Sequence, residues 1–205
     1  MARSELGPRE ITLIAVTKYR PLSTIEAVLE AGIFDIGESR VQEAVEKRAK
    51  LAQTARWHLI GHLQRNKAAR AAETFDVIHS VDSIRLIDAL ARTERNLQVF
   101  LQVNVSGETA KRGVSPQDAS QLLRAAREAP NIDPIGLMTM APYSEDPEEA
   151  RPHFQSLRSL HAEIDPALPS LSMGMSGDFE VAVEEGATHI RIGTAIVGER
   201  SPTRG

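Results

Sequence analysis

Short apolar runs alternate with longer amphipathic stretches along this chain from end to end. The first run, residues 11–18, is Ile-Thr-Leu-Ile-Ala-Val-Thr-Lys. Its apolar and β-branched residues predict a buried strand with a lysine at its end. Pro21 then breaks the chain. A helix is predicted over 24–31, with Ser23 as its N-cap, Glu26 at the capping-box spacing and Gly32 closing it. Further strands are expected at 34–39, 56–61, 77–81, 98–105, 135–140, 170–176 and 188–192. Between them the pattern predicts helices at 41–53, 64–75, 84–95 and 115–129, a long helix ending at Ile164, and a short one at 179–186. Ile84, Leu86, Ile87, Leu90 and Ala91 give the 84–95 segment its apolar stripe. Pro116 suits the first turn of the next helix.

Strict strand–helix alternation implies a parallel sheet with helices outside it. Eight strands is the number that closes a (β/α)8 TIM-type barrel, so a single α/β barrel domain over residues 1–205 is expected. The polar ends, 1–9 and 199–205, read as frayed tails. An open doubly wound sheet satisfies the same alternation, and the barrel depends on the weak second and seventh strands.

Composition narrows the function classes. The formal net charge is −4, which argues against a dedicated nucleic-acid binder. One Trp and two Tyr leave little for a base-stacking surface. There is no cysteine, hence no disulfide and no thiolate metal site. No apolar run reaches membrane length and none forms a signal core, so a cytoplasmic protein is expected.

In a barrel, ligand groups gather at the C-terminal strand ends. Lys18 is the only lysine among those ends. A lysine after a buried run keeps its stem near the core; desolvation favours its neutral amine, which attacks aldehydes. On this stretch alone a lysine snorkelling into water is the simpler reading. The ends of strands seven and eight change the balance: Ser176-Gly177 and Gly193-Thr194 suit a phosphate cradle, although Ser176 or Asp178 could instead cap a helix. A lysine facing a phosphate cradle fits a ligand with an aldehyde and a phosphate, pyridoxal 5′-phosphate (PLP). Arg191 shares the strand face of Gly193 and should point inward below it. It would either donate to the ring nitrogen of PLP or pair internally with Glu38 or Asp178.

Other polar groups read more simply. His58 sits mid-strand as a satisfied inward histidine, and His62 caps a helix or meets a ligand. His58, His62 and His79 lack the spacing of a metal set. Arg65, Lys67 and Arg70 form a solvated face. Glu145, Asp146, Glu148 and Glu149 lie where a helix dipole favours acids. Met138, Met140, Met173 and Met175 read as core or ligand-packing residues.

These residues resemble a known family. The segments AVTK at 15–18, GESRVQE at 37–43, WHLIGHLQRNK at 57–67, GLMTM at 136–140, LSMGMSGD at 171–178 and IRIGT at 190–194 are similar to those of the PLP homeostasis proteins of YggS/PROSC type. The resemblance runs from about Ile11 to Gly198. It implies a barrel like the N-terminal domain of alanine racemase, a Schiff base on Lys18, phosphate contacts from Ser176, Gly177, Gly193 and Thr194, and Arg191 at the ring nitrogen. Ser39 stands where the family usually has asparagine, which puts a cofactor contact there in doubt. The chain also begins close to strand one, so most of the family's leading helix is expected to be missing. The family is regarded as carriers and regulators of vitamin B6 and amino-acid pools without robust catalysis. Racemases of similar fold add a tyrosine from a further β domain, for which no residues follow Gly205. PLP-dependent apo-enzymes are the recipients so implied, and the absence of a long exposed apolar stripe favours a monomer. A weak amino-acid racemase and a PLP-independent enzyme using Lys18 as nucleophile are the competing readings.

Overall fold

Eight parallel strands close on themselves in chain order, each paired with its sequence neighbours and the last with the first. They are β1 (Thr12–Val16), β2 (Asp35–Glu38), β3 (Arg56–Leu59), β4 (Val77–Val81), β5 (Leu97–Gln102), β6 (Ile132–Met138), β7 (Ser170–Met175) and β8 (His189–Ile192). The structure is a computed structural model that describes residues 10–52 and 54–199. The open-sheet alternative is therefore wrong: β1 pairs with both β2 and β8. The two weak strands are present, and the seventh forms ladders on both sides.

The helices are α1 (Leu22–Glu30), α2 (Val41–Lys50), α3 (Ala68–Thr74), α4 (Ile84–Leu90), α5 (Ala119–Glu128), α6 (Arg151–Ile164), α7 (Phe179–Glu184) and α8 (Thr194–Val197). Several are shorter than their apolar pattern suggests, because tight 3-10 turns such as Arg65–Lys67 and Pro116–Asp118 replace their first turns. Gln53, expected to end the second helix, lies outside the described residues, as do the expected tails 1–9 and 200–205. The Ser23 cap is a correction. Helix α1 begins at Leu22, with Pro21 in extended backbone as its N-cap and no side-chain cap bond, since Pro21 already sets the entry angle. Gly32 does close α1, at φ +85°, and the following Ile33 amide reaches back to the Val28 carbonyl. Helix α8 was not anticipated; its four residues, Thr-Ala-Ile-Val, are too few to show a helical period.

Strand periodicity divides the barrel wall. Ala15, Ile36, Trp57, Leu59, Ile78, Val99, Leu101, Leu171 and Ile190 pack outward into one continuous apolar layer with buried faces of the helices, including Phe154 and Leu157 of α6. The alternate residues face the lumen. There a small apolar cluster of Val77, Phe100, Ile135 and Met138 sits beside buried His58, His79, Ser172 and Arg191. A hydrogen bond between His79 of β4 and Ser172 of β7 shows that these side chains meet inside the barrel, since two strands separate their backbones on the wall.

Candidate functional site

At the C-terminal mouth of the barrel a cavity of about 370 Å³ brings together all seven residues expected to form the site: Lys18, Ser39, Ser176, Gly177, Arg191, Gly193 and Thr194. That volume lies within the range of small-molecule sites. Val16, Ile60, Met140 and Met175 supply apolar lining. Strand alternation accounts for the convergence. Val16 and Lys18 are two apart on β1 and its extension, as are Arg191 and Gly193 on β8. The rim loop 141–147 adds Tyr143, which is 92% exposed and was not anticipated.

The turn carrying Lys18 is fixed from below by an ion-pair network that sequence reasoning missed. Thr17 Oγ1 donates to Glu38 Oε1 at 2.8 Å. The Lys47 ammonium donates to Glu38 Oε1 at 2.7 Å, to Glu43 Oε1 at 2.7 Å and to the Thr17 carbonyl at 2.9 Å. Glu43 also accepts the Tyr19 amide at 2.6 Å. Tyr19 is held at φ +61°, a conformation that costs a non-glycine residue energy and needs such support. Both neighbours of Lys18 are thereby clamped. Burial pushes the Glu38 carboxyl above its ordinary range, while Lys47 and Thr17 pull it back. Its second oxygen, Oε2, is buried without a hydrogen-bond partner. The signal was the spacing of Glu43 and Lys47, an i,i+4 pair on a helix whose face packs on β2. At the end of β3, Gly61 passes so close under Ser39 that a Cβ there would collide with the Ser39 carbonyl.

Arg191 is 4% exposed and makes neither of the ion pairs considered for it. Glu38 is engaged by Lys47, on the outer side of the wall. The Asp178 carboxylate takes the Met175 amide at 2.6 Å and acts on Arg191 only through its field. The guanidinium donates instead to two neutral acceptors, Ser172 Oγ at 2.6 Å and the Thr139 carbonyl at 2.9 Å. Desolvation lowers its pKa to about 10, which still leaves it charged at neutral pH. A buried cation without a carboxylate, on the wall of a cavity, is complementary to an electron-rich acceptor on a ligand.

Just past Arg191, at the ends of β7 and β8, Ser176 Oγ accepts the Gly193 amide at 3.1 Å and is 3.5 Å from the Ala195 amide. This bridges the ends of β7 and β8. Ser176 therefore organises the loop before α8, rather than capping α7. Thr194 opens α8, where first-turn amides lack an intrahelical acceptor, and a Cβ at Gly177 would meet open space. This corner of the cavity can receive an anion on Ser, Thr and main-chain donors.

His58 is satisfied as expected, between His79 at 2.9 Å and Asp35 at 2.8 Å. His62 makes no cap bond and does not reach the cavity; it lies in a separate shallow groove, 3.8 Å from Asp82. Arg65, Lys67 and Arg70 are exposed. Arg65 joins Arg85 and Arg92 around a groove of about 640 Å³ between α3 and α4. Ala68, Ala69 and Ala89 line it together with Asn66, Asp88 and Thr93, and it shares no lining residue with the mouth cavity. Met138 and Met173 are core residues, and Met140 and Met175 line the cavity. Among the described residues no cluster of His, Asp or Glu is arranged to hold a metal, and no helix is long and apolar enough to cross a membrane.

Residues 2–201 match the family described as alanine racemase, N-terminal domain. The chain is 42% identical to a pyridoxal phosphate homeostasis protein of Aquifex aeolicus, over 97% of this chain and 91% of that one. It is 40% identical to the protein of the same name from Pseudomonas aeruginosa, over 94% and 86%. Among solved structures, PipY of Synechococcus elongatus with PLP bound superposes with a TM-score of 0.85 at 39% identity, covering 95% of each chain. An alanine racemase of Clostridium difficile superposes at 0.78 with 14% identity, over 96% of this chain and 54% of that one, a likeness of fold.

Proposed function

Because this chain belongs to the pyridoxal phosphate homeostasis protein family, within the wider family of the alanine racemase N-terminal domain, we propose that it binds PLP in the mouth cavity and serves intracellular vitamin B6 balance as a carrier. The observation that carries this reading is the convergence of Lys18, Arg191 and the Ser176–Gly193–Thr194 corner on one cavity of suitable size. When bound, the cofactor supplies a reactive aldehyde on an electron-withdrawing ring. Lys18 Nζ would hold the aldehyde carbon covalently. Ser176, Gly177, Gly193 and Thr194 would take the phosphate. Arg191 has only donors, so a ring nitrogen facing it must accept and stay unprotonated, which weakens the ring as an electron sink. Ser39 would stand beside the ring with a shorter side chain than asparagine.

Holding rather than turnover is the proposed activity. Two-sided proton transfer at a substrate carbon requires a base on each face, and Lys18 provides one. The competing reading, slow amino-acid racemisation, draws on Tyr143 at the rim, the one tyrosine placed to supply a second acid–base group. A monomeric cytoplasmic carrier that delivers PLP to apo-enzymes completes the proposal.

The test is direct. Protein incubated with PLP and dialysed should keep a visible absorbance band. Borohydride reduction should fix the cofactor to the peptide containing Lys18, and Lys18→Ala should lose both. Absence of a retained band in the folded protein would exclude the reading. Sustained interconversion of the enantiomers of alanine or serine, lost in Tyr143→Phe, would replace the carrier role with catalysis.

A further inference from the structure

Behind Arg191 a single line of hydrogen bonds crosses the barrel lumen. Arg191 Nη1 donates to Ser172 Oγ at 2.6 Å. Ser172 Oγ lies 2.9 Å from His79 Nδ1, His79 Nε2 lies 2.9 Å from His58 Nδ1, and His58 Nε2 lies 2.8 Å from Asp35 Oδ1. Ser172, His79 and His58 have no exposed surface. Asp35, the first residue of β2, has a side chain 25% exposed at the opposite, N-terminal end of the barrel. The line thus joins the ligand cavity to the far mouth.

Its two ends dictate the order of protons along it. Arg191 only donates, so Ser172 must accept from it. The Asp35 carboxylate only accepts, so His58 must present Nε2–H to it. With both rings neutral, His58 Nδ1 accepts from His79 Nε2–H. His79 Nδ1 then accepts the Ser172 hydroxyl proton. Every donor has one acceptor. The reverse order would place a bare ring nitrogen against the carboxylate. Burial holds both histidines below their ordinary pKa, which supports neutral rings. The charged and titratable groups around the line are Arg56, 3.9 Å from Asp35, His189, whose ring centroid is 6.2 Å from that of His79, and Asp76, whose charge acts on His58.

We propose that Asp35, His58, His79 and Ser172 are positioning residues for Arg191, a proton-ordered relay that turns the Ser172 lone pairs to the guanidinium and so sets which N–H groups are left for the ligand in the cavity. The ligand's identity rests on the PLP reading; the relay itself does not. If the histidines merely filled the lumen, as the stacking of His79 on Phe100 at 4.3 Å between centroids would by itself allow, neither their tautomer nor Asp35 would matter to Arg191.

Nitrogen-15 NMR of cofactor-free protein labelled at histidine and arginine tests the relay. Near neutral pH both His58 and His79 should be Nε2–H tautomers. Asp35→Asn, at the exposed end and remote from the cavity, should mix those tautomers and shift the Arg191 side-chain signals. Asp35→Glu should restore both. In the loaded protein, Ser172→Ala should weaken PLP binding by about tenfold, the loss of one charge-assisted bond. An Nδ1–H ring in the native protein, or Arg191 signals unmoved by Asp35→Asn, would overturn the proposal. If the tautomers and Arg191 respond as stated while PLP does not bind, the relay stands and the cofactor reading falls.

Discussion

The two faces of the barrel wall are built on opposite principles. Outward, each strand presents Leu, Ile, Val, Trp and Ala to the helices, and the layer is held by burial of apolar area. Inward, the same strands present His58, His79, Ser172, Arg191 and Gln102, all buried, where barrels of this type more often stack branched aliphatics. The outer layer tolerates any side chain of suitable size and shape. The lumen is fixed by directional bonds, and each donor removed leaves a buried group unsatisfied. Stability resides mainly in the outer layer, and the lumen holds the Arg191 guanidinium in place.

The comparison can be broken most strongly from outside. Phe154→Ala in α6 should cost about 3–5 kcal/mol in urea unfolding, as expected of a fully buried aromatic; a cost below about 1 kcal/mol would mean the outer layer is not the structural core. Lys47→Met should cost a similar amount, about 3–5 kcal/mol, because it strands Glu38 as a buried charge. The double variant Lys47→Met with Glu38→Gln should recover most of that loss. Failure to recover would show that Lys47 acts through packing.

The lumen should announce itself through pH. Burial lowers His58, His79 and His189 below their ordinary value of 6.5, His189 to about 4. The unfolded chain therefore binds protons that the folded chain refuses. Stability is fully present above pH 6.5 and is lost as pH falls toward 4, with about 3 kcal/mol from His189 alone. Thermal midpoints measured between pH 7 and 4 should fall, and His189→Phe should flatten the fall. Smaller still, Ser176→Ala should leave the Gly193 amide without its acceptor and weaken PLP binding by about tenfold, with little change in unfolding. Ser39→Asn, which lengthens the side chain at the cavity wall by an amide, should tighten PLP by only a few-fold, less than about 1 kcal/mol.

What could be read from sequence follows the same division. Alternation and apolar runs report the outer face, so eight strands and the inward face shared by Arg191 and Gly193 were legible, while closure of the sheet rested on the strand count. The place of Ser176 and Thr194 at the cavity mouth was legible because the ends of strands seven and eight carry small polar residues. The Glu38–Lys47–Glu43 clasp was not, because a charged helix such as α2 looks solvated until its face is placed on β2. Arg191 could be turned inward by parity, but its partners come from β7 and the end of β6, and no local pattern pairs Ser172 or the Thr139 carbonyl with it. Helix α8 follows a loop held by Ser176 Oγ across from β7, a non-local contact that no local pattern gives.

The central claim is that Lys18 and Arg191 hold opposite sides of one PLP molecule. Crystals grown with the cofactor test it most directly. The account expects electron density continuous with Lys18 Nζ, the ring nitrogen within hydrogen-bond distance of Arg191, and the phosphate between Ser176 and Gly193. Density joined to a different lysine, or a phosphate seated in the arginine groove between α3 and α4 with the mouth cavity empty, would contradict it.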